Sequence, residues 1–201
     1  MGNRLKILLV VIIVLLGAFA FANSSMAYDL YLDITEGVAD FVVVGDTAQM
    51  SGVITTRTVK DVKKLLEEYP ELKTIELIFV PGSADDDANL EASRLIREAG
   101  INTHVPEGGD IASGGVDFFC AGVIRTAHED SFIGVHSWGD GKVEDANLLP
   151  KDHPIHKIYL DFYREMNIPD DFYWFTIQAA PADGIHNMTQ DERVKYGLIE
   201  E

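Results

Sequence analysis

A single cysteine, Cys120, stands among 201 residues. It excludes an intramolecular disulfide, and with it a small disulfide-stapled scaffold. Basic side chains are scarce as well: 16 Lys and Arg stand against 33 Asp and Glu, a formal net charge of −17. Nucleic-acid binding needs a basic footprint on phosphate, so that class of partner is excluded. Apolar residues make up 47% of the chain, too many for a disordered one. The length suits one domain with a real core rather than two. His-Glu-x-x-His is absent, as is Gly-x-Ser-x-Gly, which removes the zinc-protease helix and the nucleophile elbow of α/β-hydrolases. His153 and His156 lie three apart without a clear third ligand, so no metal is expected, and no cofactor.

Long hydrophobic runs are confined to one place. Ile7 to Ala22 carries no polar side chain, follows Arg4 and Lys6, and precedes Asn23, Ser24 and Ser25. A basic start, an apolar middle and a small-residue exit read as a signal peptide, with cleavage predicted after Ala27. As a helix the run reaches only about 24 Å, short of the roughly 30 Å hydrocarbon core, although an N-terminal membrane anchor is the alternative. In both cases the rest is exported, to the periplasm or to the outer face of the inner membrane, with residues 7–22 as the membrane-associating part. The expected division is 1–27 as signal or anchor and 28–201 as the functional domain.

Beyond that segment strand-like runs alternate with amphipathic ones. Phe41–Val44, a turn at Gly45-Asp46 and Ala48–Ile54 predict a hairpin. Thr58 with Asp61 reads as a capping box. Val62, Leu65, Leu66 and Tyr69 supply a helical stripe that Pro70 stops. Ile75–Val80 is a buried strand broken by Pro81-Gly82-Ser83. Ala88, Ala92, Leu95, Ile96 and Ala99 form a helical face, ended by Gly100. Ile101–Val105 is a strand, Glu107–Asp110 a loop, Ser113 to Thr126 one helix, and Phe132–Val135 a strand ending at His136. Residues 137–151 lose pattern. Helices follow from Pro154, over Asp170–Ala179, and after a Thr189/Glu192 capping box. Strands separated by helices predict an α/β domain, whose chemistry gathers at the carboxyl ends of strands. Pro81-Gly82, Ser113 and His136 lie at or just past such ends.

Ser113 has Ala112 before it and Gly114-Gly115 after it, where a helix begins. A nucleophilic serine needs that space, backbone N–H groups aimed at a developing oxyanion, and a base such as His136. The plainer alternative is a helix N-cap with glycines for tight packing.

Five motifs in order resemble the Clp-type serine proteases of the ClpP/crotonase-like superfamily. They are Val80-Pro81-Gly82-Ser83, Ile111-Ala112-Ser113-Gly114, Ala121-Gly122-Val123-Ile124-Arg125, Ile133-Gly134-Val135-His136, and Met188-Thr189 through Tyr196-Gly197-Leu198-Ile199-Glu200. The resemblance spans roughly residues 75–200. It implies a fold of repeated strand-strand-helix units and a serine hydrolase acting on peptide or protein. It also implies Ser113 as nucleophile, His136 as base, the amides of Gly82 and Gly114 as oxyanion hole, and assembly into homo-oligomers. The family's acid position falls here on Ile185. Asp183, two residues earlier, is the candidate third member. A Ser-Lys pair through Lys142, Lys151 or Lys157 is the lesser alternative.

Two further departures motivate a competing class, an inactive binding or assembly module. Ser83 replaces the second glycine of the loop, and Asp117 lies four residues past Ser113, where it is read as a solvated first-turn carboxylate. An acyl-CoA enzyme of the crotonase branch is disfavoured by export and negative charge. Cys120 is read as a small core residue. Phe172-Tyr173-Trp174-Phe175 is read as core packing, and Ser137–Gly141 as a surface loop beside the base.

Overall fold

A computed structural model of the chain describes residues 37–139 and 142–200. The signal or anchor segment 1–27 lies outside them. Among the described residues there are eight strands and six α-helices in one branched sheet. No helix among them is long and apolar enough to cross a membrane.

The hairpin forms as its turn residues predict. β1 (Asp40–Val44) pairs antiparallel with β2 (Thr47–Ser51), Val44 opposite Thr47. Gly45 adopts φ +67°, open to glycine at little steric cost. β2 then runs parallel to β3 (Thr74–Val80).

At β3 the sheet forks. Its first half pairs with β4 (Asn102–Val105), which pairs onward with β6 (Arg125–Ala127). Its last residues, Phe79 and Val80, pair with Asp110 and Ile111 of β5 (Asp110–Ala112). β5 pairs parallel with β7 (Phe132–Val135), and β7 antiparallel with β8 (His186–Asn187). The fork brings the carboxyl ends of β3, β5 and β7 side by side.

The helices start where local caps allow. α1 (Thr56–Glu68) begins a turn before the Thr58/Asp61 expectation. Thr55 is its N-cap, and Thr58 closes the capping box by accepting the Thr55 N–H at 3.0 Å. Asp61 instead pairs with Arg57. α2 (Asp86–Glu98) is capped by the Asp85 carboxylate, which accepts the Ala88 N–H at 2.9 Å. α4 (His156–Glu165), α5 (Asp170–Ala179) and α6 (Gln190–Lys195) follow, with the Thr189/Glu192 capping box in place.

The helix expected over Ser113–Thr126 is much shorter: α3 covers Gly114–Cys120. A Cβ at Gly122 would lie 2.2 Å from Thr103 Oγ1, so the chain passes β4 too closely to continue as a helix and turns into β6. Met50, Ile54, Ile75, Leu77, Ile96, Ile111, Phe118, Phe119, Phe162 and Phe172 are fully buried between sheet and helices. Each such side chain contributes about 1.5–3 kcal/mol.

Candidate active site

The turn out of β5 sets the centre of the site. Ser113 N–H donates to Gly134 O at 3.0 Å, extending the β5–β7 ladder by one rung. The chain then reverses at once into α3, and Ser113 takes φ 52°, ψ −126°. For a residue with a Cβ this is a strained conformation, costing on the order of 1–3 kcal/mol. The serine hydroxyl makes no capping hydrogen bond, so the plain N-cap alternative is not realised.

The loop after β3 lies against this turn. Ile54 N–H donates to Gly82 O at 3.0 Å, and Ala84 N–H donates to Ile54 O at 2.8 Å, which fixes the loop. Gly82 has φ +155°, and a Cβ there would come 3.4 Å from Ser113 Cβ. Gly114 and Gly115 admit the approach from the other side. A Cβ on Gly114 would lie 2.9 Å from Ser83 N, and one on Gly115 would lie 2.2 Å from Val80 O. The N–H groups of Gly82 and Gly114 donate to no protein group among the described residues, although both residues are buried. Buried amides are rarely left so.

A cavity of about 50 Å³ opens here, lined by Ser113, Gly114, Asp117, His136, Trp138 and Tyr163 among others. His136 directly follows β7, and its Nδ1 is buried with no hydrogen-bond partner among the described residues. Asp183 is exposed, and the structure does not join it to His136. Among the described residues no lysine lines the cavity. Lys151 sits over the Trp174 ring at 5.2 Å, and Lys157 pairs with Asp161.

Asp117 corrects its sequence reading. Its carboxyl lines the cavity and accepts the Tyr163 hydroxyl at 2.5 Å. Burial pushes it up to about 7; the Tyr163 hydrogen bond opposes this, and nearby Asp86 adds to it. Asp86, at the start of α2, accepts the hydroxyls of Ser83 at 2.5 Å and Tyr159 at 2.9 Å. Ser83 is therefore tied to a cavity wall that sequence reasoning did not contain.

That wall is aromatic. Tyr159 stacks between Trp138 and Tyr173, with ring centroids at 5.4 and 5.7 Å. Trp138 Nε1–H donates to the Tyr173 hydroxyl at 3.2 Å. Tyr173 in turn donates to His156 Nδ1 at 2.6 Å, since His156 Nε2–H must donate to Pro150 O at 3.1 Å. Tyr173 thus belongs to the site as well as to the core. The only sequence signal for the wall was the aromatic spacing of α4 and α5. Cys120 is buried in the core, and burial pushes its thiol well up. Among the described residues no group of three or more His, Cys, Asp or Glu could hold a metal ion.

No protein-family model and no curated protein matches the sequence. Solved structures do match its fold. A membrane-bound stomatin-specific protease, 1510-N, in a serine-to-alanine variant, is 19% identical at a TM-score of 0.54, over 77% of this chain and 76% of that one. Its lysine-to-alanine variant in complex with a substrate peptide is 18% identical at a TM-score of 0.53, over 77% and 72%. A methylmalonyl CoA decarboxylase complexed with 2S-carboxypropyl CoA is 13% identical at a TM-score of 0.50, over 81% and 67%. The stomatin-specific protease and the methylmalonyl CoA decarboxylase thus share one arrangement with this chain, which has the ClpP/crotonase-like fold.

Proposed function

We propose that the chain is a serine hydrolase of peptide substrates, with Ser113 as nucleophile and His136 as general base. The carrying observation is the turn at Ser113. The uncapped Ser113 has a strained φ and lies in one cavity with an imidazole, beside two buried amides that donate to nothing else among the described residues. His136 takes the Ser113 proton as Oγ attacks the acyl carbon. The carbonyl oxygen, now negative, receives the N–H groups of Gly82 and Gly114. His136 then gives the proton to the leaving amine, and water hydrolyses the acyl-enzyme with His136 again as base. The peptide-bound protease of the same fold supports the choice of substrate class. Residues 1–27 would deliver the domain across the membrane, and cell fractionation with N-terminal sequencing tests that part.

The decisive experiment is labelling of the purified full chain with a fluorophosphonate. Labelling of the wild type, lost in Ser113→Ala and His136→Ala, is the expected result. A folded wild-type chain that does not label would instead favour the inactive binding module.

A further inference from the structure

We infer that Asp145, not Asp183, is the carboxylate that positions His136 for proton transfer; this rests on the hydrolase reading above. His136 Nδ1 is buried without a partner among the described residues. Such an atom calls for one, because an unsatisfied buried polar group costs free energy that a native fold rarely leaves uncompensated. In Ser-His catalysis the nitrogen facing away from the serine is the one an acid must hold.

The loop that leaves His136 folds back on itself. Ser137 N–H donates to Ala180 O at 2.9 Å, and Ala146 N–H donates to Trp138 O at 2.9 Å. Asp145 is thereby set against the two residues after the base. Its carboxylate accepts Asn147 N–H at 2.8 Å and Ala182 N–H at 3.3 Å, and the Ser137 Oγ accepts the same Asn147 N–H at 3.2 Å. The Ser137 hydroxyl, then the two amides and the nearby His136 ring, hold this carboxyl below the usual carboxylate range despite some burial. It is therefore a fixed, ionised acid within electrostatic reach of His136. The segment before the closing helix, where the resemblance sought the acid, instead donates an amide to Asp145, while Asp183 faces solvent. Hydrogen bonds of this kind are often long without substrate and tighten on binding.

The test compares rates of fluorophosphonate labelling in the full chain for wild type, Asp145→Asn, Asp145→Ala and Asp183→Asn. Asparagine removes the charge and keeps one acceptor oxygen, for the Asn147 N–H at Oδ1, while its NH2 takes the place of the oxygen that accepts the longer Ala182 hydrogen bond. Expected is a fall in the maximal labelling rate on the order of 10³-fold in Asp145→Asn, with half-saturating probe concentration unchanged and a thermal midpoint that stays well above the assay temperature. Formate should restore part of the rate in Asp145→Ala. Asp183→Asn should stay within about twofold of wild type. Wild-type rates in Asp145→Asn, a comparable loss in Asp183→Asn, or a loss that tracks the thermal midpoint without formate rescue would each overturn the inference. A wild type that does not label would instead overturn the hydrolase reading beneath it.

Discussion

At the carboxyl end of α3 the backbone carbonyls are heavily supplied with donors. Phe119 O accepts the Thr103 hydroxyl at 2.7 Å, and Gly122 O accepts Arg97 and Arg125 at 2.7 and 3.0 Å. Arg125 reaches five carbonyls in all: Cys120, Gly122, Met166, Gly197 and Leu198. Among the described residues it has no carboxylate partner. The guanidinium fork joins the end of α3, the end of α4 and the closing segment. At the amino end, six residues away, the treatment reverses. Ser113 makes no capping hydrogen bond, its backbone is strained, and the amides of Gly82 and Gly114 have no partners among the described residues. One short helix thus has an end built for stability and an end whose backbone potential is withheld from the fold. Withheld donors are what a developing oxyanion requires.

Substitutions at the open end should break activity and spare the fold. Ser113→Ala abolishes labelling with little change in unfolding midpoint. Ser113→Gly abolishes it too, yet relieves the positive φ. That variant should gain about 1 kcal/mol, a rise of roughly 2–4 °C by thermal unfolding. Gly82→Ala adds a methyl beside Ser113 at a φ that L-residues rarely adopt. Its labelling rate should fall on the order of 10²-fold, the cost of one displaced oxyanion donor.

The closed end should respond the other way. Arg125→Ala strips donors from five carbonyls and should cost about 3 kcal/mol or more in urea unfolding. The labelling rate of the molecules that remain folded should be unchanged. Arg125→Lys should recover only part of the loss, because an ammonium offers three donors and lacks the planar fork. A large labelling defect in folded Arg125→Ala would show that the two ends are coupled and would dissolve the contrast.

The contrast was only half visible in the sequence. Ser113 and His136 stood out because small residues and strand ends are local signals, and Asp170–Ala179 and Phe132–Val135 were read to the residue. β5, β6 and β8 were missed. They are two or three residues long, too short for a period, and exist only because distant chain pairs with them. The overlong helix from Ser113 has the same cause: the approach of Gly122 to Thr103 is a contact no local pattern encodes. The cavity wall was hidden for a different reason. Asp86 lies on α2 while Tyr159 and Tyr163 lie on α4, and each has a bland reading within its own helix. The solvated reading of Asp117 fails because its partner, Tyr163, comes from α4, 46 residues on.

Asp117 offers the smallest effect and the sharpest use of pH. In the folded chain its carboxyl titrates near 7 rather than at its ordinary 3.8. Between about pH 4 and pH 7 the unfolded chain therefore loses this proton while the folded chain keeps it. The folded state binds more protons there, so stability falls as pH rises through that window and stays reduced above it. Asp117→Asn removes the titration and keeps an acceptor for the Tyr163 hydroxyl. The variant should match wild type near pH 4 and exceed it by about 1–2 kcal/mol at pH 8, less than the full shift implies because the group is partly exposed. Urea unfolding at pH 4, 6 and 8 measures this directly. If wild type and variant run parallel across the range, Asp117 carries its charge in the fold without cost. The open end of α3 would then face a permanent anion, which weakens the case that its amides receive an oxyanion.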